Sequence, residues 1–196
     1  DDDTVGARIA AVDGVTHVVG VRFVMLPYDG TRAFALGIDP APFRAMTTVK
    51  LVGLDAAERD AALALLDDGR HCIVSENFAR LHGLGVGDVV PFPGRGDPVP
   101  LEIVALGRDY SWPRGTVFMD RGVIERQLGD DTVDEFSVVV EDGADPDRVM
   151  ADLRRELSHD LDLVLTPAAE LRAGARQLLD DFFSLSYAQV AVAMVV

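Results

Sequence analysis

Ser75 follows the apolar run Cys72-Ile73-Val74 and precedes a helix-like stretch, the strand-to-helix position from which a hydrolase serine attacks a carbonyl. Its neighbours do not suit that chemistry. Ile73 and Asn77 stand where two glycines would relieve the strained turn, so Ser75 is read as a helix cap. The four histidines, His17, His71, His82 and His159, are scattered and form no zinc spacing such as HExxH. Asp130, Thr132, Asp134 and Glu141 mimic the spacing of a calcium loop, but Glu135 replaces its turn glycine and Phe136 to Val140 reads as a strand.

Gly83-Leu84-Gly85-Val86-Gly87-Asp88 follows a helix and precedes a strand, the reverse of the order that aims helix amides at phosphate. Arg95-Gly96-Asp97 spells an adhesion tripeptide on a Gly- and Pro-rich loop, where such a match arises by chance. Adjacent acids such as Asp67-Asp68 and Asp180-Asp181 diverge on a helix and make no acid/base pair. No catalytic, cofactor-binding or metal residue is nominated, no cofactor is expected, and the chain is read as not an enzyme. The loop Gly107 to Gly115 does carry anchors of another kind. Tyr110, Trp112 and Pro113 are the candidate partner contacts, because exposed aromatics bind partners well, the alternative being a loop whose Trp112 folds back onto the core.

Composition narrows the partners. The 196 residues include 18 Lys and Arg against 33 Asp and Glu, a net charge of −15. Nucleic acid is excluded, since a phosphate grip needs clustered cations. The 48% hydrophobic content suits a folded chain, and Cys72, the single cysteine, is read as core.

The elements that would hold these residues are legible in order. Val5, Ile9 and Val12 predict a helix, Asp13-Gly14 a turn, and Val15 to Met25 a strand returning through Tyr28-Asp29-Gly30 as Thr31 to Ile38. Asp55 with Glu58 opens a helix to Leu66, followed by a strand at His71 to Ser75 and a helix to His82. Strands are predicted at Val89 to Phe92, Val99 to Leu106 and Thr116 to Met119. A helix from Asp120 to Leu128, a strand at Glu135 to Glu141, a helix opened by Asp145-Pro146 and a strand at Leu161 to Leu165 complete the order.

The expected fold is α+β, with ferredoxin-like halves of porter type at 1–54 and 116–166. A small β-rich subdomain is inserted at 55–115, and a C-terminal stalk helix occupies 167–196. From Phe182 to Val196 no residue is charged. That stretch is shorter than the roughly 20 residues a spanning helix needs, so it is read as a truncated transmembrane helix entering the bilayer at Phe182, Phe183 and Tyr187.

The run from His71 to Val90, His-Cys-Ile-Val-Ser-Glu-Asn-Phe-Ala-Arg-Leu-His-Gly-Leu-Gly-Val-Gly-Asp-Val-Val, resembles the MacB-like periplasmic core domain of FtsX-like ABC transporter permeases. Leu101 to Gly107, Ala11-Val12-Asp13-Gly14-Val15 and Ala35-Leu36-Gly37-Ile38-Asp39-Pro40 are similar to its other motifs, and the resemblance covers nearly the whole chain. The family carries a strand before the first helix, for which Asp1-Asp2-Asp3 leaves no room, so either that strand is expected upstream of Asp1 or the first half has an open edge.

The resemblance implies a permease domain outside the cell membrane, coupling cytoplasmic ATP hydrolysis to export or extraction of a substrate. Its partners would be a cytoplasmic ABC ATPase, the membrane through the C-terminal helix, and a second permease copy. The alternative is a mechanical signal relay that regulates an extracytoplasmic partner such as a cell-wall hydrolase. A soluble enzyme of unassigned type is the third reading, resting on size alone.

Overall fold

The computed structural model describes residues 2–47, 49–109, 111–158 and 164–167. Helix α1 (Asp2–Ala10) buries Val5 and Ile9 and turns at Gly14 into β1 (Val15–Tyr28). A two-residue turn returns the chain as β2 (Thr31–Ile38), with φ of +45° at Asp29 and +70° at Gly30. Both central residues being left-handed is what a tight hairpin with twisted strands requires.

β1 runs three residues past the predicted end, through Pro27. Among the described residues the neighbouring strand on its other side pairs only as far as Val21, so a residue without an N–H costs no ladder bond there.

Sequence reading ended β2 at Asp39-Pro40 and placed nothing after it, yet α2 (Pro40–Met46) starts there. Proline is disruptive inside a helix but suits its first turn, where the N–H has no partner. Helix α3 (Ala56–Leu65) opens on a reciprocal cap: Glu58 N–H donates to Asp55 Oδ1 and Asp55 N–H to Glu58 Oε2, both at 2.9 Å. Next come β3 (His71–Ser75), α4 (Glu76–His82), β4 (Val89–Phe92), β5 (Val99–Gly107), β6 (Thr116–Asp120), α5 (Arg121–Leu128), β7 (Glu135–Val140) and α6 (Pro146–Leu157).

The seven strands form one mixed sheet in the order β4-β5-β3-β6-β2-β1-β7. Pairing is parallel for β2 with β6 and for β3 with β5, and antiparallel elsewhere. Because side chains alternate along a strand, each face of the sheet gathers its own core. One face collects Leu26, Ala33, Ala35, Cys72, Val74, Val117 and Met119 with Phe78 of α4 and Val123 and Ile124 of α5. The other collects Val21, Ile38, Ile73 and Phe118 with Ala62 and Leu63 of α3. An irregularity in β5 pairs Cys72 with Ile103 but Ile73 with Ala105, which carries Ala105 to the second core.

Ion pairs tie the loops to this frame. Arg22 reaches Asp130 at 2.6 Å and Asp134 at 2.7 Å, and Arg121 reaches Asp39 at 3.0 Å and Asp3 at 2.8 Å.

Two compact units divide the chain, Asp1–Val149 and Met150–Val196. Of the predicted closing strand Leu161 to Leu165, residues 161–163 lie outside the described residues, and Val164 to Pro167 carry no regular element. The predicted stalk beyond Pro167 lies outside them as well. No helix among the described residues is long and apolar enough to cross a membrane.

Candidate binding groove at the hairpin end

Ser75 is fully buried, and its Oγ accepts from Phe78 N–H at 3.4 Å and Thr116 N–H at 2.8 Å. A hydroxyl oxygen so engaged at the core is a structural joint between α4 and β6. Asp130 accepts from Thr132 and Arg22, and Asp134 accepts from Arg22 and from Phe23 N–H at 2.7 Å. The Thr132 hydroxyl, and with it the Arg22 guanidinium, hold the Asp130 carboxyl below its ordinary range despite partial desolvation. Glu141 lies about 20 Å further along, beyond β7, so the calcium-like spacing never converges. Among the described residues no three His, Cys, Asp or Glu side chains gather to hold a metal.

Among the described residues, a groove opens at the turn end of the β1–β2 hairpin. From the edge of the second core outward, three rings stack in sequence: Phe23 on Phe34 at 5.3 Å and 20°, and Phe34 on Trp112 at 5.4 Å and 23°. Alternation puts Phe34 on the same face as Leu36, and the register sets Met25 opposite it. Leu36 and Phe23 pack against the second core, whereas Phe34, Met25 and Trp112 belong to neither core.

The loop bearing Trp112 is held on several sides. Asn77 Nδ2 donates to Trp112 O at 2.9 Å, Gly115 N–H donates to the same oxygen at 3.0 Å, and Phe34 N–H donates to Gly115 O at 3.1 Å. The indole Nε1 donates to Arg32 O at 3.5 Å. The ring is thus laid on the sheet and half-buried, while Pro113 and Arg114 stay exposed.

Between hairpin and loop opens a groove of about 1080 Å³, lined among others by Met25, Pro27, Tyr28, Arg32, Trp112 and Arg114. Tyr28 has its phenol pushed upward by burial first, then by Asp29 and Asp88. Neither Arg32 nor Arg114 forms an ion pair among the described residues.

Of the predicted contacts, Trp112 and Pro113 therefore border this groove, and Tyr110, Phe182, Phe183 and Tyr187 lie outside the described residues. Sequence reading missed Arg32, Met25 and Phe34, which come from a different element. The available signal was the hairpin itself: with Tyr28 opposite Thr31, Met25 must face Phe34 and Pro27 must face Arg32.

The family model of the MacB-like periplasmic core domain matches residues 1–156. Among solved structures, the extracellular domain of the noncanonic ABC-type transporter YknZ from Gram-positive bacteria is 18% identical, with 81% of each chain covered and a TM-score of 0.56. The periplasmic region of MacB from Actinobacillus actinomycetemcomitans is 12% identical, with 80% of this chain and 72% of that one covered and a TM-score of 0.55. No curated protein sequence matches the chain. With four-fifths of its length matched by that model, and with the same mixed fold, the chain belongs to the family of MacB-like periplasmic core domains.

Proposed function

We propose that the chain is the extracytoplasmic domain of an ABC transporter permease that couples ATP hydrolysis by a cytoplasmic ATPase to export or extraction of a substrate. The match of residues 1–156 to the periplasmic core domain carries this reading, and the likeness to the outer domains of YknZ and MacB supports it. On this reading residues 1–54 and 116–166 are two related halves, 55–115 the insert, and 167–196 the stalk that enters the bilayer at Phe182, Phe183 and Tyr187. A second permease copy would complete the transporter.

The test uses the full-length permease with its ATPase in nanodiscs. Replacing the outer domain by a short Gly/Ser linker should leave basal ATP hydrolysis and abolish its stimulation by substrate or partner. Unchanged stimulation would overturn the proposal.

A second reading, a mechanical relay that binds and regulates an extracytoplasmic protein, is favoured by one observation: the braced, half-exposed Trp112 beside an open groove. Aromatics presented in a fixed pose serve as interface anchors at low entropic cost.

A further inference from the structure

We propose that the groove between the β1–β2 hairpin and the Trp112 loop docks an extended segment of an extracytoplasmic protein that presents a carboxylate beside an apolar side chain. The inference rests on the outward-facing, partner-binding reading above and adds to it the place and the chemistry.

The apolar half of the argument is the sheet face. On that face the second core gathers Ile38 and Phe118 with Ala62 and Leu63 of α3 and Phe43 of α2, and it reaches out only to Phe23 and Leu36, so the stack runs on through Phe34 to Trp112 with Met25 across from it. Met25 is 37% exposed, an open apolar position on a strand whose earlier residues on that face, Val19 and Val21, are buried. The Trp112 backbone is already fixed by Asn77 and Gly115, so ordering the anchor costs little on binding.

The charged half decides what kind of segment fits. The chain carries −15 overall, yet among the described residues Arg32 and Arg114 flank the groove without ion pairs and Asp29 is the only acid of its lining. Two guanidinium groups beside an aromatic face match a carboxylate with an apolar neighbour: the fork takes the oxygens, and the indole takes the hydrocarbon. A lipid surface fits less well. The groove is concave, and an anionic headgroup layer would meet the charge of the whole acidic domain as well as two arginines.

Trp112 is the single tryptophan, so its emission reports this groove alone. The probes are a capped Glu-Leu-Met-Glu peptide, its Lys-Leu-Met-Lys counterpart and phosphatidylglycerol vesicles, each titrated into the full chain. The acidic peptide should protect Trp112 from acrylamide quenching. Arg32→Gln with Arg114→Gln should weaken it about tenfold, while the paired lysine substitutions, which keep the charge and lose the fork, should fall between that pair and the wild type.

Equal protection by the lysine peptide overturns the proposal, as does an emission change with vesicles alone or no change with either peptide at millimolar concentration. Circular dichroism of each variant separates lost binding from lost fold. Lost peptide binding in a permease whose ATPase coupling persists removes this inference alone. Binding that persists where coupling has failed upholds it and removes the transport reading instead.

Discussion

His82 lies edge-on to Tyr28, with ring centroids 4.7 Å apart at 79°, and its Nδ1 stands 3.5 Å from Asp29 Oδ2 without forming a hydrogen bond. The side chain is 3% exposed, and neither buried ring nitrogen has a hydrogen-bond partner among the described residues, although the Asp29 carboxylate stands beside Nδ1. Here α4 meets the turn that closes the groove, with Phe78 as the third ring at 4.7 Å from His82.

His82 thus acts as an aromatic wedge whose nitrogens form no hydrogen bond among the described residues. His82→Phe keeps the ring contacts and deletes two buried polar atoms, so stability should hold or rise by about 1 kcal/mol. His82→Ala opens a cavity under the hairpin and should cost about 3 kcal/mol. Urea unfolding of both variants checks this; a loss of stability in the phenylalanine variant as large as in the alanine one would show that the nitrogens are paired in solution.

Gly115 joins the Trp112 loop to β6 with φ of +87°, and a Cβ there would stand 2.3 Å from Phe78 Cβ and 2.6 Å from its Cα. Backbone strain and a clash with backbone act together. Gly115→Ala should destabilise by at least about 3 kcal/mol and change the Trp112 emission, because the loop cannot seat on α4. Thermal unfolding with fluorescence reads both effects.

Ser75→Ala leaves Thr116 N–H, in a fully buried residue, and Phe78 N–H without their shared acceptor. The expected loss is about 2–3 kcal/mol, above that of a simple helix cap. Ser75→Thr, which keeps the oxygen, should recover part of it in the same denaturation experiment.

Cys72 has its thiol pushed up to about 12 by burial. Native protein should react with thiol reagents only as fast as it opens. The native state keeps the proton where the unfolded chain, near pH 9, begins to lose it, so the unfolded state gains as pH rises. Wild type should therefore lose stability relative to Cys72→Ala above about pH 9, progressively toward pH 12, and show no such difference below it. Denaturant titrations at paired pH values test the slope.

Several elements were legible without coordinates because their causes are local. The Asp55 and Glu58 cap, the left-handed Gly83 after α4, and the Asp29-Gly30 turn each depend on residues within one turn of chain. Helix α2 was missed for an equally local reason: Pro40-Ala41-Pro42 reads as a breaker, and the Asp39 side chain does not cap the helix. Its carboxylate accepts from Gly20 N–H and Arg121 instead, both distant in sequence.

By itself the sequence determined the α+β class, nearly every strand and helix of the described residues, and the acidic net charge. The tertiary structure alone decided that β3 lies beside β6, that Ala105 changes face, and that Trp112 rests on Phe34 with Arg32 and Arg114 at the groove's edge. Turns and caps are settled by short-range sterics and hydrogen bonds that a few neighbouring residues state in full. Strand order and groove lining depend on which apolar faces can share a core, a choice made among segments far apart in sequence, such as Trp112 and Arg32, 80 residues apart, or the paired Val15 and Val140.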